Sequence, residues 1–396
     1  MQGRRVAVTG MGVVAPCGVG VEDFFEGLCS PAPVGPRILE DFDPTPFFDN
    51  PKEARRSDRF AQFALAAAQQ AIDQAGELDA DMARRGTFIG TGVGGIQTLE
   101  AQIETRIEKG ERRVSPFLVP MMMSNAAAAT LSMHFGWQGP CENTVTACAA
   151  GTHAIGNAAR MIADGRCDAV LAGGSEAPFT DTAVAGFRNM TALSNSGVSR
   201  PFDANRDGFV MAEGAAVLVL EEWDRAVARG ANILGEIMGS ASTADAHHIT
   251  APAPGGAGAI RCMRIALEDA GLSAADIVHI NAHGTSTDKN DAAEAAAVVE
   301  VFGTPGPAVT STKGVTGHAL GGAGALEAVA ILAAMQKGLI PPTAGHEQMA
   351  PEMPPIDLVV GDPRPWTPGP SMSNSFGFGG HNGTIIIGPA SPTPHL

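Results

Sequence analysis

Hydrophobic and polar positions follow two rhythms along the chain. Short runs rich in Val, Ile and Ala, often closing on Gly, occur at RRVAVTGMG, DAVLAGGSEA, GAAVLVLEE, DIVHINAHGTST and GTIIIG. Continuous apolar runs of this length predict strands buried on both faces. Between several of them lie Ala-rich stretches, RFAQFALAAAQQAIDQAG and GAIRCMRIALEDAG, with apolar residues at helical spacing and a closing Gly suited to a helix C-terminus. The alternation predicts an α/β protein with helix-covered sheets. Both halves of the chain carry it, and they divide near the charged stretch EEWDRAVARGANI after Leu220. A duplicated architecture fits, although the internal repeat is weak. The Pro-rich stretches SPAPVGP and APEMPP, and the tail ASPTPHL, are expected to be loops or a frayed end.

Length and charge narrow the picture. A chain of 396 residues that is 44% apolar can bury a large core, as two domains or one large duplicated one. With 42 Asp and Glu against 26 Lys and Arg, broad attraction to nucleic acid or an anionic membrane is not expected, so an acidic partner needs a local basic patch. The N-terminal MQGRRVAVTGMGVVAP resembles a first strand more than a cleavable leader, and Gly, Pro or charge interrupts every apolar run before the roughly 18 residues a membrane span needs. The expected location is the cytoplasm. The six cysteines, at 17, 29, 141, 148, 167 and 262, show no CxxC pair and no metal-like spacing, so free thiols are expected.

Cys148 stands apart by its surroundings. In NTVTACAAGTHAIGNAARMIADG it lies between an extended, β-branched stretch and a helix whose buried face is marked by Ile155, Ala158, Ala159 and Ile162, with Gly165 as the stop. A thiol at a helix N-terminus faces unpaired backbone N–H groups and the positive end of the helix dipole, which predicts a lowered pKa. The small neighbours Ala147, Ala149, Ala150 and Gly151 leave room for a substrate.

Two histidines occupy comparable junctions. In DIVHINAHGTSTD a buried strand runs into a polar turn that is expected to expose His283. In TSTKGVTGHALGGAGALEA, Lys313 and His318 lie in a Gly-rich loop leading into a helix that bears Glu327. The remaining histidines are expected to be packed or solvated. The Cys and His positions lack a compact ligand pattern, so no metal is expected, and GxxxxGK[ST] is absent because Lys313 precedes its glycines. In SMSNSFGFGGHNGTIIIG, glycines permit close backbone approach while Phe376 and Phe378 can wall an apolar pocket.

Taken in order, VTACAAG, NAHGTST, STKGVTGH and NSFGFGGHNG, with RPFDANRDGF and RDGFVMAEGA as further support, resemble the motifs of the elongating β-ketoacyl-acyl-carrier-protein synthases, the type II synthases in particular, within the thiolase-like superfamily. The resemblance spans nearly the whole chain. It implies a thiolase-like five-layered αβαβα fold of two similar halves, residues 1–235 with the nucleophile and 236–396 with the two His, and a homodimer with active sites near the subunit interface. It implies that Cys148 takes the acyl group, that the backbone N–H groups of Cys148 and Phe378 hold the thioester oxyanion, and that His283 and His318 stabilise the enolate formed as malonyl-carrier protein loses carbon dioxide. Lys313 and Glu327 match a supporting charged pair, and whether Lys313 touches substrate stays open. Thr285 and Thr287 match ligands of the phosphopantetheine arm. Phe187, Phe376 and Phe378 match pocket and gate positions, and Val93 replaces a frequent Ile in the acyl channel. Lys52, Arg55, Arg56, Arg112 and Arg113 match docking positions for the acidic carrier, while a further family Arg falls on Thr191, with Arg188 nearby.

Two segments, PVGPRILEDFDP and SNSGVSRPFD, are shorter than usual for the family. The resemblance implies no organic cofactor, the phosphopantetheine arm arriving on the carrier. A ketosynthase of polyketide or other specialised metabolism, an inhibitor-tolerant paralogue and a non-catalytic chain-length partner are the alternatives. A degradative thiolase would need a second catalytic Cys near the C-terminus, whereas the last one here is Cys262, and an initiating synthase would carry one His and one Asn.

Overall fold

The structure, a computed structural model, describes residue 1 and residues 3–391. The end of the tail, from residue 392 and including His395, lies outside the described residues. The first half of the chain runs β1 (Val6–Ala15), α1 (Arg59–Ala75), β2 (Arg85–Gly90), α2 (Ala126–Phe135), β3 (Cys141–Thr144), α3 (Ala150–Ala163), β4 (Ala169–Glu176) and β5 (Gly214–Glu222). The second half repeats that order with β6 (Gly235–Ala244), α4 (Ala257–Ala270), β7 (His279–Asn281), α5 (Asp288–Phe302), β8 (Ala308–Thr310), α6 (Ala323–Lys337), β9 (Ser371–Gly377) and β10 (His381–Gly388).

Pairing repeats as well. The strands lie in the orders β1-β5-β4-β2-β3 and β6-β10-β9-β7-β8, and in each series the first two pairings are antiparallel and the last two parallel. The two series meet along β1 and β6 through only two residue pairs, Ala7 with Glu236 and Val8 with Gly235, which join them into one 12-stranded sheet. α1 and α2 cover the outer face of the first series, and α4, with α5 beside it, covers that of the second. α3 and α6 pack on each other and on both series. The layers therefore run αβαβα.

This layering explains the strand composition. β1, β4 and β5 are buried along their whole length because helices cover both faces, so they are apolar throughout instead of alternating. α1 starts where Asp58 accepts from the Phe60 N–H and ends at Gly76, whose φ of 72° suits only glycine readily. Its alanines let it lie directly on β1: a Cβ at Gly10 or Gly12 would come within 2.0 Å of the carbonyl oxygens of Ala71 and Ala67. SPAPVGP and APEMPP form no helix or strand, as expected.

Candidate active site

Each catalytic candidate emerges from the C-terminal end of a strand. Cys148 lies in a single 3-10 turn, Ala147–Ala149, between β3 and α3. His283 follows β7 directly, and Lys313 and His318 lie between β8 and α6, which carries Glu327. Because α3 and α6 meet in the middle layer, these junctions converge although 170 residues separate Cys148 from His318. The approach is close: a Cβ at Gly151, in the first turn of α3, would stand 2.9 Å from the Gly321 carbonyl oxygen and 3.0 Å from the Ala325 nitrogen. Ala147, just before the nucleophile, and Leu320, just after His318, hold φ values of 50° and 43°, so both junctions turn through the left-handed region that non-glycine residues rarely adopt.

His318 Nε2 lies 3.0 Å from Cys148 Sγ. The His283 and His318 rings stand edge to face with centroids 5.3 Å apart. Lys313 Nζ lies 3.3 Å from His283 Nδ1 and also pairs with the Glu327 carboxylate. An ammonium only donates, so Nδ1 of His283 accepts and its proton sits on Nε2. All five side chains are buried, including His283, which the sequence placed on an exposed turn. The turn is covered by the β9–β10 hairpin, with Phe376 edge-on to His283 at 6.0 Å.

Burial governs the charges. It pushes the Cys148 thiol up to about 11, outweighing Lys313 and the backbone N–H groups of Phe378 and of Cys148 itself, all of which favour thiolate. The lowered pKa expected from the helix terminus is therefore overturned, because the first turn of α3 is packed between sheets and excluded from water. Both histidines are held well below the usual imidazole range, by burial first and the Lys313 charge second. The resting pair is thus a thiol beside a neutral imidazole. Burial also lifts the Glu327 carboxyl to about 7, against the opposing pull of Lys313.

A cavity of about 350 Å³ opens onto Cys148, His283 and His318. Thr285 and Thr287 line it, their hydroxyls 2.9 Å apart, and so do Phe187, Phe376 and Phe378. Thr191 lines it too, whereas Arg188 does not. Val93 is not brought to this cavity; it is 43% exposed on the loop after β2. Lys52, Arg55, Arg56, Arg112 and Arg113 are all exposed on the surface, and Arg56 stacks over Phe117, 4.4 Å from its ring centre. Among the described residues, one group of side chains is close enough to hold a metal ion: Cys148, His283 and His318, with ligating atoms within 4.8 Å of one another. These come from three different junctions, so linear spacing does not show the group, and the Lys313 ammonium beside it opposes a cation.

Several contributors carried no chemical signal in the sequence. Phe209 sits edge-on to His318 at 5.2 Å and to Phe187 at 5.4 Å, filling the corner behind the His318 imidazole. Glu294 accepts from the backbone N–H groups of His283 and Gly284, both at 2.8 Å, and fixes that turn. Glu176, lifted to about 7 by burial, accepts from the N–H groups of Gly92, Val93 and Gly321 and from the Thr91 hydroxyl, tying the loop after β2 to the start of α6. His153 faces the Thr146 hydroxyl at 2.8 Å, two residues from the nucleophile.

Two family models match in tandem: Beta-ketoacyl synthase, N-terminal domain, over residues 35–226, and Beta-ketoacyl synthase, C-terminal domain, over residues 234–347. The chain is 45% identical to a 3-oxoacyl-[acyl-carrier-protein] synthase 2 of Synechocystis sp. and 41% identical to that of Staphylococcus aureus strain COL, in each case over 98% of both chains. Among solved structures it superposes on a beta-ketoacyl synthase from Burkholderia phymatum STM815 with a TM-score of 0.89 at 34% identity, covering 98% of this chain and all of that one. It superposes equally well, at 0.89 and 32% identity with the same coverage, on a type II polyketide ketosynthase bound to a hexaketide and in complex with its acyl-carrier protein. With its Cys and His pair meeting where two duplicated halves join, and with both halves matched along their length, the chain belongs to the β-ketoacyl synthase family.

Proposed function

We propose that the chain is a 3-oxoacyl-[acyl-carrier-protein] synthase of fatty acid elongation, carrying out a decarboxylative Claisen condensation at Cys148. The observation that carries this reading is the 3.0 Å contact between Cys148 Sγ and His318 Nε2 with a second neutral imidazole, His283, beside it. In the first half-reaction Sγ attacks the thioester carbon of the acyl carrier; its proton passes through His318 to the departing thiol, and the N–H groups of Cys148 and Phe378 receive the oxyanion. In the second, malonyl-carrier protein loses carbon dioxide, and the enolate oxygen is stabilised by the Nε2–H of His283 and by His318, which takes its Nε2–H tautomer once Cys148 is acylated and no longer offers a proton. The enolate carbon attacks the acyl thioester, Cys148 leaves as thiolate, and one proton taken up from solvent restores the resting thiol. Neutral imidazoles suit this step, since each donates toward growing negative charge without first giving up a charge of its own. Lys313 serves by fixing the His283 tautomer.

The same reading has Thr285 and Thr287 bond the phosphopantetheine arm and Phe187, Phe376 and Phe378 line the path of the acyl chain, and it requires no organic cofactor or metal. It takes residues 1–235 and 236–396 as the two halves, supported by the matching strand orders. The acyl carrier is the partner, and Lys52, Arg55, Arg56, Arg112 and Arg113, which form no ion pair among the described residues, are its docking charges on an otherwise acidic protein of net charge −16. The chain acts as a homodimer. The helix Ile96–Lys109 buries none of its residues, and Ile107 (70% exposed), Met133 (76%) and Val145 (50%) lie exposed around it and the open edge of β3. A second copy over this face would enclose Val93 and make it a channel residue. No helix of the described residues is long and apolar enough to cross a membrane, which agrees with a cytoplasmic enzyme.

Identity to the 3-oxoacyl-[acyl-carrier-protein] synthases, at 41–45%, exceeds the 32% to the type II polyketide ketosynthase, and favours elongation of fatty acids over a specialised pathway. The test is to supply malonyl-carrier protein with acyl carriers from C4 to C16 and read products by intact mass. A β-keto product two carbons longer supports the reading, and turnover of aromatic or polyketide carriers alone would move the enzyme to the other pathway.

A further inference from the structure

Behind the catalytic cavity lies a second one, of about 410 Å³, a size common for small-molecule sites. Phe209 lines both and separates them. The rim is formed by Gly35, Pro36 and Ile38 on one side and by Leu193, Ser194 and Gly197 on the other. The interior is apolar, built from Phe179, Val184, Leu193, Val210 and Met211. Its two charged lining residues, Asp181 and Arg188, sit at opposite ends of the helix Asp181–Asn189, about 10 Å apart by helical rise. The Arg188 side chain is exposed and has no hydrogen-bond or ion-pair partner among the described residues.

The cavity wall is also the support of His318. The His318 N–H donates to the Val210 carbonyl at 2.7 Å, and the Ala212 N–H donates to the His318 carbonyl at 3.0 Å. Arg37, next to the rim, donates from its backbone to Met211 and from its guanidinium to the Val315 carbonyl, each at 3.0 Å, holding the loop between Lys313 and His318. We propose that this second cavity binds an aliphatic carboxylate, with the chain against Val184, Leu193 and Met211 and the carboxylate on Arg188, and that its occupancy alters the contact between His318 and Cys148.

Binding is read without turnover, by equilibrium dialysis of labelled decanoate below its micellar concentration. A second sample carries a dodecyl disulfide on Cys148, in a Cys141→Ser background, so that its catalytic channel is filled. One equivalent is expected to bind both samples with equal affinity. Arg188→Gln, at an exposed position that leaves the fold intact, is expected to weaken decanoate at least tenfold and to leave decanol unchanged, and Val184→Trp to abolish both. Decanoate is also expected to change the rate of Cys148 alkylation by iodoacetamide at least twofold in the wild type. Loss of binding when Cys148 carries the chain, no binding to the wild type, or wild-type affinity in Arg188→Gln would overturn the site, and an unchanged alkylation rate would overturn the coupling.

Discussion

Under the proposed function, Cys148 and His318 are a nucleophile and a base that rest uncharged. A cysteine protease-like pair stores its reactivity as a thiolate beside an imidazolium; here burial lifts the thiol to about 11 and holds the imidazole low, so the proton stays on sulfur until a thioester arrives. The rate of Cys148 alkylation by iodoacetamide, followed by peptide mass, is therefore expected to climb about tenfold per pH unit from 7 to 9. A plateau beginning below pH 7.5 would mean a charged pair. Lys313 and Glu327 make the complementary case of two buried charges that depend on each other. Lys313→Ala leaves the buried Glu327 carboxyl without its partner and driven to take up a proton, and is expected to destabilise the protein by about 3–5 kcal/mol, whereas Lys313→Met with Glu327→Gln costs less, as chemical denaturation would show. Which residues matter was legible from the chain, since each sits at a Gly-rich junction after an apolar run. Their protonation was not, because local sequence shows a helix terminus but not the second sheet that shuts water away from it.

At the scale of elements, the duplicated order of strands and helices explains why the site forms where it does. Equivalent junctions, after β3 and after β8, each feed a central helix, and one delivers the Cys while the other delivers Lys313 and His318. β1, β4, β5, β7 and β10 were readable as continuous apolar runs and α1 and α4 as amphipathic stretches, whereas β3, with its half-exposed CENT, and β6, polar toward its end, carry no such run. α3 and α6 were only half readable. Ile155, Ala158, Ala159 and Ile162 mark one face of α3, yet His153, Ala154 and Gly156 on other faces are buried as well, because small residues do not advertise burial and the second series of strands lies against them. The duplication itself is carried by topology and close packing more than by matched residues. Gly12 tests that packing: an added methyl would meet the Ala67 carbonyl at 2.0 Å, so Gly12→Ala is expected to cost about 1–3 kcal/mol by pushing α1 off β1, measurable as a lower melting temperature. Phe209 lay in RDGFVMAEGA without any visible chemistry, since its role comes from contact with His318 across the fold.

For the whole molecule, the buried histidines set a limit on acid stability. His279, on β7 beside Trp366, has neither ring nitrogen hydrogen-bonded, and burial depresses it to about 3. Its folded pKa is below the unfolded 6.5, so its contribution is present above pH 6.5 and is lost as the pH falls. At pH 5 the loss amounts to about 2 kcal/mol, from roughly 1.4 kcal/mol per unit below 6.5. Replacing His279 by Leu should shrink the drop in stability between pH 7 and pH 5 by that amount, and an unchanged drop would place acid sensitivity elsewhere. If the unpaired arginines on the acidic surface dock the carrier as proposed, its capture is ionic. Arg55→Glu with Arg56→Glu is expected to raise KM for the acyl carrier at least tenfold with kcat little changed, an effect that fades as salt screens it.

In the proposed reaction Cys148 holds the acyl group, and His283 with His318 drives decarboxylation. Intact-mass analysis of wild type, Cys148→Ala and the double variant His283→Ala/His318→Ala, each mixed with acyl- and malonyl-carrier protein, tests that division directly. Expected are turnover in the wild type, no protein-bound acyl group in Cys148→Ala, and, in the double variant, intact malonyl-carrier protein beside an acyl-enzyme that forms more slowly than in the wild type, because His318 also relays the Cys148 proton. A condensed product from Cys148→Ala, or undiminished loss of carbon dioxide in the double variant, would contradict it.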